Sequence, residues 1–220
     1  MDTLIIEKKN EVYLTVDCDP NVQRELSEFF TFFVPGYKFM PAFRNRMWDG
    51  KIRLFSQKTK EIYFGLFPYI KAFAEEREYH IVCGKDVEVK NKVDKDIVEK
   101  FSNSLGQKFE ARDYQVDAIY HSLKYNRALL LSPTASGKSF IIYALIRYYT
   151  HLIKDETNNR ILLIVPTTSL VEQMYSDFKS YGWNVKKNCH RLYSGYSNQT
   201  DKKVLISTWQ SLYKLPKEYF

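Results

Sequence analysis

Residues 127–140 read RALLLSPTASGKSF, an apolar run that breaks into a turn of small residues and then opens a helix. Residues 128–131 are apolar without alternation, which predicts a buried strand, and KSFIIYALIRYYTHL over 138–152 predicts a helix that begins directly after Gly137. Small residues between a strand and a helix let backbone N–H groups converge on phosphate oxygens, and the positive end of the helix adds to that attraction. Ser132, Pro133, Thr134, Ala135, Ser136 and Gly137 are therefore the candidate cradle of a P-loop. Lys138 follows at the position that reaches the β- and γ-phosphates of a nucleotide, and the Ser139 hydroxyl at the position that ligates Mg2+. Ser132 stands where the usual pattern has glycine, so the turn must form there without glycine's access to positive φ. An ordinary strand-to-helix loop is the competing reading, and the strand–turn–helix context weighs against it.

A chain of 220 residues, 45% of them hydrophobic, can bury a sizeable core and is expected to hold two domains. Its formal charge of +7 suits an anionic partner, nucleic acid before a membrane surface. No apolar run approaches a membrane span, and the N-terminus MDTLIIEKKN lacks the basic and apolar regions of a signal peptide, so a soluble, intracellular protein is expected. Cys18, Cys83 and Cys189 are scattered and read as reduced thiols, and the histidines show no metal-ligand spacing.

Two alternating runs over residues 3–16 predict a hairpin, followed by a helix with Asp19 as N-cap and Pro20 at its first position. Val22, Leu26, Phe29, Phe30 and Phe33 share one face of that helix before Pro35 and Gly36 end it. Over residues 37–55, YKFMPAFRNRMWDGKIRLF, the Asp49-Gly50 turn predicts a hairpin of residues 43–48 with 51–55. Lys38, Arg44, Arg46, Lys51 and Arg53 make this strip basic against Asp49 alone, which allows it to neutralise phosphates while its aromatics stack or pack. A solvated face over a core of Phe39, Phe43, Trp48 and Phe55 is the alternative. A helix over 68–79 and a strand over 80–83 complete a small N-terminal α+β domain, residues 1–85. Residues 86–110 read as a linker with an amphipathic connecting helix (Val93, Ile97, Val98, Phe101, Leu105), and residues 111–220 as a nucleotide-binding α/β domain. There a helix over 114–123 precedes the cradle, and the apolar strands 161–165 and 204–207 are each followed by a helix. Repeated units of that kind predict a doubly wound parallel sheet whose ligands lie at the carboxyl ends of the strands.

Four pieces then stand in a fixed order: Arg112-Asp-Tyr-Gln115, residues 132–139, PTTSLVEQ over 166–173 and STWQ over 207–210. This order resembles the first RecA-like motor domain of superfamily-two helicases, and the segment from Gly36 to Leu54 resembles the N-terminal accessory domain of the UvsW-type recombination and repair helicases of T-even-like phages. The resemblance spans essentially the whole chain. It implies ATP and Mg2+ as cofactors, with Gln115 reading the adenine edge, Arg112 or Tyr114 flanking the base, and Lys138 and Ser139 in the phosphate and Mg2+ roles. It implies DNA as partner: a single strand along Thr167, Thr168, Gly195, Thr208 and Gln210, and duplex or branched DNA, or an RNA–DNA hybrid, at the N-terminal domain. For each threonine a helix N-cap is the competing use. A monomer in the cytoplasm, that of the host cell for a phage protein, is expected.

The acidic pair that such motors use to hold Mg2+ and orient water is not found at its place. Asp155-Glu156 is the sole Asp-Glu dipeptide and falls in a polar turn. No second RecA-like domain with arginine fingers follows, so the RecA-like domain reads as partial, the chain as the N-terminal part of a motor, and appreciable ATPase activity of this chain alone is not expected. A non-catalytic nucleic-acid-binding module, or the motor part of a restriction-type nuclease, are the alternatives.

Overall fold

Apolar side chains alternate through β1 (Thr3–Lys8) and β2 (Tyr13–Asp17), so that Leu4, Ile6, Leu14 and Val16 all point to one face and are fully buried. The computed structural model describes residues 2–88, 91–153, 159–216 and 219, and the chain divides into one unit over Met1–Val89 and another over Lys90–Phe220. The remaining elements of the first unit are α1 (Pro20–Phe29), β3 (Thr31–Phe33), α2 (Pro41–Arg44), β4 (Lys51–Arg53), β5 (Phe55–Ser56), β6 (Glu61–Tyr63), α3 (Phe67–Glu76) and β7 (His80–Cys83). Its main sheet runs β5-β6-β2-β1-β7, antiparallel except for the β1–β7 pair, which is parallel. Val22 and Leu26 of α1, and Ile70 and Phe73 of α3, bury against the apolar face of that sheet. Asp19 caps α1 as expected, accepting the Asn21 N–H at 2.9 Å.

Two sequence expectations in this unit give way. The helix ends at Phe29, and Phe33, expected on its apolar face, lies half exposed in β3. The Asp49-Gly50 turn forms, but β4 pairs with β3 in the register Phe32↔Ile52, and not with residues 43–48. The reason is local. Pro41 starts α2, and the turn after it closes on itself, Arg46 N–H donating to Phe43 O at 3.0 Å and Met47 N–H to Ala42 O at 2.9 Å. Those donors are spent before a ladder can claim them. Gly50 is required at the turn: its φ is +79°, and a Cβ there would lie 2.3 Å from the Tyr37 ring.

The second unit holds α4 (Lys95–Asn103), α5 (Asp113–Tyr125), α6 (Lys138–Leu152), β8 (Ile161–Val165), α7 (Thr168–Ser180), α8 (Val185–Asn188), β9 (Cys189–Leu192), β10 (Val204–Thr208) and α9 (Trp209–Leu212). Its sheet is parallel, in the order β8-β10-β9, and the central strand β10 is buried along its whole length, as a strand covered on both faces must be. Ile119 of α5, Phe140 and Tyr143 of α6 and Phe178 of α7 form the core with Val204 and Ile206. Val98 of α4 joins the same core, and the Tyr143 hydroxyl donates to Leu105 O at 3.1 Å. β9 escaped the sequence reading because its buried ends, Cys189 and Leu192, enclose the polar pair His190-Arg191. Burial pushes the Cys189 thiol up to about 12, so it stays a neutral core residue.

The expected buried strand over residues 128–131 is absent. Leu129 and Leu131 are 85% and 89% exposed, and no described residue pairs with the segment. A parallel strand is held by hydrogen bonds from a neighbour, and β8, at the edge of the sheet, has only β10 as partner among the described residues. Apolar character alone therefore does not fix these leucines in a sheet.

Candidate nucleotide and nucleic-acid sites

Between the apolar run and α6, the chain adopts left-handed backbone twice, at Ala135 (φ +64°) and Gly137 (φ +76°). Alternating handedness of this kind curls a loop into a concavity lined by N–H groups. Gly137 caps α6, whose first residues are Lys138 and Ser139, as the sequence predicts. The Lys138 ammonium folds into the loop, donating to Pro133 O at 2.6 Å and to Ser132 O at 3.2 Å. The hydroxyls of Ser132 and Ser136 hydrogen-bond each other across the turn, and Ser136 Oγ also donates to Pro133 O at 2.9 Å. Thr134 and Pro133 are exposed at the rim.

The segment from Arg112 to Gln115 braces this loop. Gln115 is 5% exposed; its Oε1 accepts the Arg112 N–H at 3.0 Å and its Nε2 donates to Ser136 O at 3.1 Å. The Tyr114 hydroxyl donates to the same carbonyl at 3.0 Å and accepts from the Arg112 guanidinium at 3.1 Å. Each end of the Gln115 amide thus has one protein partner, which fixes its orientation and leaves the second Nε2 hydrogen and the second Oε1 lone pair for an adenine edge. Sequence reading missed Tyr181, the residue that closes α7: its hydroxyl shares a hydrogen bond with Ser139 Oγ at 2.9 Å across a separation of 42 residues. No local signal marks such a long-range contact.

The donor set fits a nucleotide phosphate with Mg2+: an ammonium and a hydroxyl stand at successive positions at the start of a 15-residue helix, behind a loop with the backbone curvature of an anion site. Lys138 would hold phosphate oxygens and Ser139 the metal, and the metal would supply neutralisation of charge on the phosphates. No group of three or more His, Cys, Asp or Glu side chains able to hold a metal occurs among the described residues. Asp155-Glu156 lies outside the described residues.

The other strand-end residues converge by register. Val165 pairs with Thr208 and Leu192 with Ser207, so the chain leaves β8, β10 and β9 side by side at Pro166, Trp209 and Tyr193. Thr167 caps α7, accepting the Leu170 N–H at 3.3 Å, which is the competing use foreseen for it. Thr168 and Gln210 are exposed at the same edge, as is Gly195. Thr208, by contrast, is 4% exposed and shares its hydroxyl with Ser211 at 3.1 Å, so it faces inward. Glu172 ties this edge together, receiving Arg191 Nη1 at 2.5 Å and the Tyr193 hydroxyl at 2.6 Å. The Tyr193 hydrogen bond in particular holds the Glu172 carboxyl below its ordinary pKa. The Arg191 guanidinium lies over the rings of Tyr175 (4.3 Å) and Tyr196 (4.6 Å).

In the first unit, Lys38, Arg44 and Arg46 line an open cleft of about 600 Å3 beside Met47 and Trp48. Arg53 is paired with Asp49, whose carboxyl is lowered by that hydrogen bond. The Lys51 ammonium lies over the Phe33 ring at 4.9 Å. Of the aromatics, Phe55 is buried, Phe43 and Trp48 are half-buried and Phe39 is 85% exposed, so the strip is part core and part surface.

A phosphate-type loop opening a helix, with strand-end loops gathered at the carboxyl edge of a parallel sheet, defines a partial RecA-like P-loop domain carried behind an α+β unit. Family comparison agrees for both units: residues 6–84 match "DNA helicase UvsW, N-terminal", and residues 108–219 match "Type III restriction enzyme, res subunit". The chain belongs to the UvsW helicase family. It is 33% identical over 217 residues to the ATP-dependent DNA helicase uvsW of Enterobacteria phage T4, covering 94% of this chain and 42% of that protein. A crystal structure of the UvsW helicase from bacteriophage T4 superposes with a TM-score of 0.86 at 31% identity, over 100% of this chain and 79% of that one. A second T4 UvsW crystal structure gives 0.86 at 32% identity, over 100% of this chain and 45% of that one.

Proposed function

We propose that this chain is the N-terminal portion of an ATP-dependent DNA helicase or translocase acting on branched DNA or R-loops in recombination, repair and replication restart. The observation that carries the reading is that one unit holds both the Lys138–Ser139 loop, at the start of α6, and the exposed strand-end residues Thr168, Gly195 and Gln210, in a family whose phage T4 member is named an ATP-dependent DNA helicase. Lys138 and Ser139 bind MgATP, Tyr114 and Arg112 flank the base, and Gln115 reads it with the amide donor and acceptor sites its two protein bonds leave free. Thr167, Thr168, Gly195 and Gln210 follow a single strand by its phosphates, for which hydroxyls, amides and backbone N–H groups suffice. Thr208 acts from inside, holding the start of α9. The chain spans 42% of the T4 relative, and the exposed Leu129 and Leu131 are apolar surface that the rest of a motor would cover. No helix among the described residues is long and apolar enough to cross a membrane.

The basic strip of the first unit grips DNA. Among the described residues no carboxylate pairs with Arg44 or Arg46, whereas Arg53 is paired with Asp49. Fluorescent-duplex binding over a salt series tests this part. Arg44→Ala/Arg46→Ala is expected to weaken binding and to flatten the log–log salt slope by roughly 2, one phosphate contact per arginine. Lys138→Ala should leave both unchanged. An unaltered slope in the arginine variant would make the strip a solvated face and return the DNA contact to the strand-end loops.

A further inference from the structure

The C-terminal turn of α2 has a side chain on the wrong side. In a turn of this hydrogen-bond pattern, the residue in the position of Met47 usually packs back on the helix it follows. Here Met47 is 80% exposed, and Phe39, on the short helical turn Tyr37–Phe39 just before α2, is 85% exposed. Arg46, between α2 and Met47, is held at φ +57°, a conformation that glycine would adopt without strain. Lys38 adjoins Phe39, and it shares the cleft with Arg44, Arg46 and Met47. The one acid lining that cleft, Asp49, is already paired with Arg53. Two apolar side chains thus stand in solvent among cations that suit a polyanion, and the flat apolar surface that a polyanion offers is the face of a nucleobase. Within continuous duplex those faces are stacked away, and apolar side chains reach them only where a step opens or an end is exposed.

We propose that Phe39 and Met47 contact exposed base faces, with Lys38, Arg44 and Arg46 on the flanking phosphates, so that this cleft takes the junction where duplex opens into single strands. The proposal rests on the reading that the first unit binds DNA, and adds the side chains by which it tells an opened junction from continuous duplex.

The test uses the whole 220-residue chain with two probes: a forked DNA carrying 2-aminopurine at the first unpaired position, and a blunt duplex of equal length. The native chain is expected to bind the fork at least about fivefold more tightly and to change the 2-aminopurine emission, as loss or gain of one stacked base requires. Phe39→Ala/Met47→Ala should lose the preference and the emission change, with blunt-duplex affinity and salt slope intact; Phe39→Trp should keep both. Because both side chains are exposed, unfolding temperature should hold; if the double variant fails to fold, Phe39→Leu, which keeps apolar bulk but removes the ring, decides by the same readouts. A native chain without fork preference overturns the proposal, as does a double variant that retains it or loses fork and duplex affinity equally. Failure of the underlying reading looks different: Arg44→Ala/Arg46→Ala would then bind both DNAs with native affinity and slope.

Discussion

Gly137→Ala is expected to lower affinity for MgATP by about 100-fold. An alanine held at φ +76° costs about 1–2 kcal/mol through the Cβ clash that glycine avoids. The added Cβ would also lie 2.3 Å from Gln115 Nε2, and Gln115 cannot swing away freely, since its amide is bonded to Arg112 N–H and Ser136 O. Dislodging it forfeits two hydrogen bonds of about 1 kcal/mol each, which brings the cost near 3 kcal/mol, or about two decades in a binding constant. Gln115→Ala forfeits the same two hydrogen bonds, so the double variant is expected to lose less than the sum of the two single losses. Calorimetric titration of the two single variants and the double one gives the coupling directly. Additive losses would show that Gly137 and Gln115 act separately.

Phe178→Ala should remove about 3–5 kcal/mol from the stability of the second unit. Phe178 is fully buried on α7, its ring 5.5 Å from that of Tyr143 and 6.3 Å from that of Trp183. Those rings belong to different parts of the unit, so the cavity left behind cannot close by one element moving alone. Urea unfolding followed by circular dichroism would register the change as a lower midpoint in the transition of the second unit, with that of the first unit in place. A loss under 1 kcal/mol would mean that the aromatic cluster is not the centre of the core.

What could be read from the residues differs between the two units for physical reasons. α6 was legible to the residue, because Gly137 ends the turn and the apolar run KSFIIYALI leaves no other start. β10 was legible because a parallel strand buried on both faces is apolar through residues 204–206, and β8 because residues 161–165 are all apolar, although Leu162 and Ile164 lie exposed at the sheet's edge. The same rule failed at residues 128–131: it describes what a strand contains, and the pairing that makes a strand depends on a neighbour. In the first unit, Asp49-Gly50 marked a turn correctly but not its partner, since the choice between β3 and residues 43–48 was decided by hydrogen bonds that α2 closes on itself. Of the candidate site, Lys138 and Ser139 stood out from the strand–turn–helix pattern, and Gln115 only through the ordered segments that carry the family resemblance. The Tyr181–Ser139 hydrogen bond, the inward turn of Thr208 and the Glu172–Arg191 brace were not, because each depends on elements far apart in sequence.

The central claim is that the loop from Ser132 to Ser139 holds a magnesium-bound nucleoside triphosphate independently of the DNA grip in the first unit. Equilibrium titration with a fluorescent ATP analogue in Mg2+, on the native chain, Lys138→Ala and Arg44→Ala/Arg46→Ala, tests it most directly. Loss of a charged hydrogen-bond donor to phosphate is worth about 1.5–3 kcal/mol, so Lys138→Ala should bind about 10- to 150-fold more weakly while the arginine variant binds as the native chain does. Binding that is unchanged in Lys138→Ala, or no binding by the native chain at millimolar nucleotide, would contradict the account.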